Sequence, residues 1–113
     1  MELSEIIDIV KAKLVAGNAN GVVIEKGFSS DLMSDVLTID TEKILLITGT
    51  CNVQAIRTAE MADIQCILLV RGKKANPDMI KIANENKMVI LETSLSMFNT
   101  VGRLYQVGLK PVY

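Results

Sequence analysis

The 113-residue chain contains no histidine. Without imidazole it has no side chain whose ordinary pKa suits general-base work or proton shuttling near neutral pH, and no imidazole metal ligand. Nucleophilic designs built on Ser-His or Cys-His pairs are therefore excluded, and no catalytic residue is expected. Aromatic residues make up only 4 % of the chain, and the net charge is -1. The chain thus has neither the basic field nor the interleaved rings of a nucleic-acid-binding surface, and no positive surface for an anionic membrane. Long hydrophobic runs are missing too: the longest, Ile44 to Ile47 and Cys66 to Val70, are strand-sized and too short to cross a bilayer. The two cysteines, Cys51 and Cys66, do not form a metal-like pair, and they read as reduced thiols of a cytoplasmic protein. The start, Met1-Glu2-Leu3-Ser4-Glu5, is acidic and lacks the charge pattern of a signal peptide.

What is present is a half-hydrophobic chain of one-domain length. Leu3, Ile6, Ile7, Val10 and Leu14 recur at helical spacing and predict a leading helix that Gly17-Asn18 ends. Val22-Val23-Ile24 then reads as a buried strand, and Ser29 or Ser30 as the cap of a helix with Asp31 in its first turn and Leu32, Met33, Val36 and Leu37 on its inner face. Ile44 to Ile47 predicts a strand covered on both faces, and Thr48-Gly49-Thr50-Cys51-Asn52 turns into a helix with Ala55, Ala59 and Ala62 for close packing. Cys66 to Val70 is a third strand, and Asn76-Pro77-Asp78 opens the next helix with a cap residue, a first-position proline and an acid. Met88 to Leu91 is a fourth strand. Thr93 or Ser94 is the expected cap of a last helix carrying Met97, Phe98, Val101, Leu104 and Tyr105 inward to a stop near Gly108.

Strands of continuous apolar character alternating with helices predict a three-layer α/β/α sandwich with a mainly parallel sheet and right-handed crossovers. In such sheets ligands gather at the carboxyl ends of the strands, where loops lead into helices. Four segments qualify: Gly27 to Asp31, Thr48 to Asn52, Arg71 to Lys74, and Glu92-Thr93-Ser94. The candidate binding residues are Gly27, Ser29, Ser30, Asp31, Thr48, Gly49, Thr50, Arg71, Gly72, Lys73, Thr93 and Ser94. Free N–H groups at helix starts, with Arg71, Lys73 and Lys74 nearby, suit an anionic small molecule such as a phosphate ester. The same hydroxyl residues and glycines are also what caps and tight turns require, so a structural role or a protein interface competes with the binding role. Neither G-x-x-x-x-G-K-[ST] nor G-x-G-x-x-G occurs. Two further candidates are Cys51, at a helix start that favours a thiolate, and Asp31 with Asp35, four residues apart and able to face one cation. For both, an ordinary structural role is the competing explanation.

Gly27-Phe28-Ser29-Ser30-Asp31-Leu32-Met33-Ser34-Asp35-Val36-Leu37, Leu46-Ile47-Thr48-Gly49 and Ile56-Arg57-Thr58-Ala59-Glu60-Met61-Ala62-Asp63 resemble a DRTGG domain. Thr93-Ser94-Leu95-Ser96-Met97-Phe98 and Gly102-Arg103-Leu104-Tyr105 fit it as well, so the resemblance spans nearly the whole chain. The aspartate-arginine pair of the family name appears as Ser30-Asp31 without the arginine, and the Thr-Gly-Gly element reads Thr48-Gly49-Thr50. The resemblance implies a fold like the N-terminal domain of HPr kinases and a non-catalytic module without a cofactor. Such domains accompany separate catalytic units in phosphotransacetylases and some regulated pyrophosphatases. It further implies a regulatory role with homodimer formation, sensing an anionic metabolite or nucleotide. Alternatively, since stand-alone versions are associated with iron-only hydrogenase clusters, it implies an accessory subunit that docks on such a partner enzyme.

Overall fold

In the computed structural model, which describes residues 1–113, the chain opens with a helix, α1 (Leu3–Ile9), and a short strand, β1 (Lys13–Ala16). Next come β2 (Lys26–Ser29) and a single helical turn, α2 (Met33–Val36). Two strand–helix units follow, β3 (Ile44–Thr48) with α3 (Val53–Met61) and β4 (Cys66–Leu69) with α4 (Pro77–Glu85). The chain then runs through β5 (Val89–Glu92), α5 (Met97–Gln106) and β6 (Lys110–Pro111). No helix is long and apolar enough to cross a membrane.

The strands form one six-stranded sheet in the order β1-β5-β4-β3-β2-β6. Every neighbouring pair from β5 to β6 is parallel, and β1 alone runs antiparallel, against β5. β3, β4 and β5 are buried at every position, which is why their sequences show no alternation. Ile44, Leu46, Ile67, Leu69 and Ile90 face Val36, Ile56, Ala59, Met79 and Ala83 of α2, α3 and α4. The alternate residues Leu45, Ile47, Cys66, Leu68 and Leu91 face Leu3, Ile6 and Leu104 of α1 and α5. The result is the expected three-layer sandwich. The steps from β2 to β5 use helices of one layer, and the return from β5 to β6 crosses on the other, as right-handed crossovers in opposite directions demand.

Several local expectations fail for identifiable reasons. The leading helix stops at Ile9 rather than near Leu14, because Lys11 takes φ 54° and Ala12 N–H returns to the Ile7 carbonyl at 2.9 Å. That left-handed stop frees Lys13–Ala16 to become a strand. The apolar run Val22-Val23-Ile24 does not join the sheet. It ties down the chain start instead, Leu3 N–H donating to Val22 and Ile24 N–H to Met1, so the real strand begins at Lys26. The second helix shrinks to one turn with Leu32 and Leu37 exposed; Ser30 bonds Leu32 N–H at 3.0 Å but does not cap the helix. The cap of α5 is Ser96, not Thr93 or Ser94, and Phe98 and Tyr105 point outward with 91 % and 68 % exposure.

α3, α4 and α5 end in the same device as α1. Asp63, Lys87 and Gly108 take positive φ, and the next residues, Ile64, Met88 and Leu109, return their N–H groups to Ala59, Ala83 and Leu104. These are Schellman stops, which glycine usually provides because a Cβ is disfavoured there. Here only one of the four uses glycine. Each following residue is buried, so hydrophobic anchoring of Ile64, Met88 and Leu109 offsets the backbone cost.

The two borders of the sheet differ. β1 meets β5 across a register shift between Leu14 and Ala16, and Gly17, at φ 80°, turns the chain away directly beneath the Met88 carbonyl. β6 pairs only at Lys26 and Gly27, and it contains Pro111.

Candidate functional site

Because β2, β3, β4 and β5 are parallel, the loops that follow them share one rim. Asp31, just after β2, is the centre of the left half. Its Oδ1 accepts the Gly49 N–H at 2.7 Å and the Thr48 Oγ1 hydroxyl at 3.1 Å. Thr50 Oγ1 donates to the Asp31 carbonyl at 3.0 Å, so two loops are stitched by three bonds. The expected placement of Asp31 in a helical first turn is thus replaced by a carboxylate that satisfies N–H groups ahead of α3, whose own cap is Asn52. With Asp31 committed in this way, it shares no geometry with Asp35 for a cation.

Arg71 closes the arrangement from β4. Its Nη2 lies 3.8 Å from Asp31 Oδ2, and its guanidinium covers Gly49 so closely that a Cβ there would collide with it. The need for glycine at this position is therefore one of space, imposed by the arginine. Arg71 itself takes φ 63°, a conformation costing about 1–2 kcal/mol for a residue with a Cβ. Two backbone bonds hold it: Arg71 N–H to the Leu95 carbonyl at 2.8 Å and Gly72 N–H to the Thr93 carbonyl at 3.0 Å. The arginine that the sequence lacks beside Asp31 is supplied in space by a residue forty positions later.

Glu92, 7 % exposed, anchors the right half. It accepts the Ala75 N–H at 2.7 Å and sits 3.6 Å from Lys74 Nζ. Thr93 donates its hydroxyl to the Val10 carbonyl at 2.7 Å and accepts the Leu95 N–H at 3.2 Å, which explains why it is unavailable as a cap. Cys51 donates to the Lys74 carbonyl at 3.1 Å. Burial raises its pKa, Glu92 raises it further, and Lys73 only partly opposes them. The helix-start argument for a reactive thiolate is overturned: desolvation and a neighbouring carboxylate outweigh the favourable dipole. Cys66, in the sheet, has its thiol pushed up to about 12 by burial alone.

A DRTGG domain profile matches residues 5–107. The chain belongs to the DRTGG domain family. Its fold is also that of a crystal structure described as the CBS and DRTGG domains of the regulatory region of Clostridium perfringens pyrophosphatase complexed with activator, diadenosine tetraphosphate. The two share 16 % identity at a TM-score of 0.69, over 98 % of this chain and 48 % of that one. This chain therefore spans about half the length of that structure. No curated protein matches it.

Within this DRTGG domain the predicted residues divide into three groups. Asp31, Thr48, Gly49, Thr50 and Arg71 converge directly, while Gly72 and Thr93 brace Arg71 from behind. Lys73 and Ser94 are exposed and form no ion pair or side-chain bond. Gly27 and Ser29 lie in β2 and line a different opening, between that strand, β6 and α5. Sequence reasoning missed Glu92 as a buried anchor and missed the second opening entirely. A lone glutamate closing an apolar strand (Val89-Ile90-Leu91-Glu92) was the available signal for the first.

Proposed function

We propose that this DRTGG domain is a non-catalytic regulatory module that senses an anionic metabolite at the Asp31–Arg71 rim. The observation that supports it most is Arg71, held in a disfavoured backbone conformation with its guanidinium spread over Gly49 and against a half-exposed carboxylate. Backbone strain of this kind persists where surrounding structure enforces it, and it clusters at ligand clamps. Asp31 occupies the position an anion would take, accepting the Gly49 N–H and Thr48 hydroxyl. A phosphate or carboxylate ligand competes with Asp31 for these donors and for Arg71, and displacing Asp31 releases the loop that leads into α2. Binding is thereby coupled to a conformational change in the surface loops. The presence of a similar domain in an activator-bound regulatory region of a pyrophosphatase supports regulation as the role. Acting as a homodimer belongs to the same proposal, with Phe98, 91 % exposed on α5, as an apolar contact it would cover.

Thermal-shift titration with inorganic phosphate, acetyl phosphate and AMP tests the sensing role. A ligand present at a hundredfold excess over its Kd stabilises the fold by about 2.7 kcal/mol, and Arg71→Ala should abolish that gain. A flat response to all three at millimolar concentration overturns it. That result would favour the competing role, docking on a partner redox enzyme without a small molecule. Light scattering that finds a monomer at every concentration overturns the homodimer.

A further inference from the structure

The opening lined by Gly27 and Ser29 is a cleft of about 230 Å³ between α5 and the β2–β6 border. The chain has two phenylalanines, two tyrosines and no tryptophan, and three of these four rings, Phe28, Tyr105 and Tyr113, line this one cleft. Phe28 and Tyr113 form a tilted pair with ring centroids 6.2 Å apart, while Tyr105 and Tyr113 remain 68 % and 91 % exposed. Leaving large rings in water forgoes the burial that most stabilises a small domain, so their concentration at one place needs an explanation beyond folding.

The backbone adds a polar feature. Ser30 N–H donates to the Ile47 carbonyl on β3, and main-chain groups alternate sides along a strand. Ser29 therefore turns its own N–H and C=O to the opposite side, where β6 has already ended at Gly27's partner. An unpaired donor and acceptor border the cleft. Charge completes the description: Lys110, in the cleft wall, is the register partner of Lys26, and neither has a carboxylate within ion-pair distance. Two like charges side by side on neighbouring strands repel unless an anion joins them.

We propose that this cleft binds the base of a mononucleotide, stacked on the exposed tyrosines and read by the Ser29 main chain, with the phosphate beside Lys110 and Lys26. The volume lies below the roughly 300 Å³ at which ordinary small-molecule sites begin, so it takes one ring system and leaves the phosphate in solvent. The class of ligand rests on the sensing role proposed above. The site does not, because Arg71 and Asp31 take no part in it.

NMR titration of the 15N-labelled chain with AMP, adenosine and inorganic phosphate separates the two. AMP and adenosine are expected to shift the Ser29, Tyr105, Lys110 and Tyr113 amides, with AMP binding more tightly, and to quench tyrosine emission, which arises only from this cleft. Tyr105→Ala, at an exposed position that leaves the core intact, should weaken AMP about fivefold or more, and Lys110→Gln should remove the preference for AMP over adenosine. AMP shifts confined to Thr48, Gly49 and Thr50 would overturn the cleft and leave the rim standing. Phosphate inert at the rim, with AMP still moving the cleft, would do the reverse. Unchanged affinity in Tyr105→Ala sinks the proposal, as do cleft shifts that grow with protein concentration alone, which would mark a second copy as the occupant.

Discussion

Asp31 offers a direct comparison of two electrostatic effects acting on one carboxylate. Its Oδ1 accepts the Gly49 N–H at 2.7 Å and the Thr48 hydroxyl at 3.1 Å, while its Oδ2 meets Arg71 only at 3.8 Å. Hydrogen bonds to a charged acceptor contribute about 1.5–3 kcal/mol, but the Asp31 side chain is 46 % exposed, and water replaces part of what is lost. Asp31→Ala should therefore cost about 1–2 kcal/mol. The ion pair is weaker, since exposed pairs typically contribute about 0.2–1 kcal/mol, and Arg71→Ala should cost no more than that. Asp31→Asn, which keeps an oxygen for Gly49, should fall between the two. The assay is urea unfolding followed by circular dichroism on both single variants and the double variant. The coupling energy should stay below about 1 kcal/mol and shrink further in 1 M salt, where the screening length is about 3 Å. If Arg71→Ala costs as much as Asp31→Ala, or the coupling exceeds about 2 kcal/mol, then the backbone bonds are not what holds the rim together.

The helix stops give a second prediction: Lys87→Gly removes a Cβ from a φ of 55° and should be neutral to about 1 kcal/mol stabilising by urea midpoint, since added flexibility in the unfolded chain offsets part of the gain. Gly17→Ala should do the opposite, because its Cβ would strike the Met88 carbonyl and its φ is 80°; a midpoint unchanged from wild type would refute the close approach. Thr93→Val keeps the volume but removes the donor to the Val10 carbonyl, leaving buried groups unpaired at a cost of about 1–3 kcal/mol in thermal unfolding. Alkaline pH gives a fourth. The folded chain holds the Cys66 proton up to about 12 against an ordinary 9.0, so its stabilisation is complete below pH 9 and lost as pH rises toward 12. Between pH 8 and 10.5 the urea midpoint of the wild type should fall more steeply than that of Cys66→Ala, and equal slopes would refute the assignment.

The layers of the fold were legible because β3, β4 and β5 are apolar on both faces, and that composition leaves a parallel, doubly covered sheet as the simplest outcome. The caps Asn52 and Asn76 were equally local, each side chain bonding an N–H three residues ahead. What the sequence hid depends on the rest of the molecule. Lys11, Asp63 and Lys87 stop helices without the glycine that would announce it, since tertiary burial of the next residue decides the matter. Val22 to Ile24 carries every mark of a strand, yet its hydrogen bonds go to residues 1–3. At the rim, the loops were correctly gathered at the strand ends, but the pairing of Asp31 with Arg71 spans forty residues and two strands. Outward-facing Phe98 and Tyr105 defeat hydrophobic periodicity for a different reason: apolar character marks a surface to be covered without saying by what.

The unlike borders of the sheet bear on how the chain behaves in a crowd. An unfolded neighbour seeking to add a strand meets, at β1, a backbone kinked out of register, and at β6, two residues of which Pro111 has no N–H to give. Neither border offers the long, flat template from which cross-β stacks grow. The domain can thus keep three wholly apolar strands at its centre and still refold from concentrated solution without seeding fibrils.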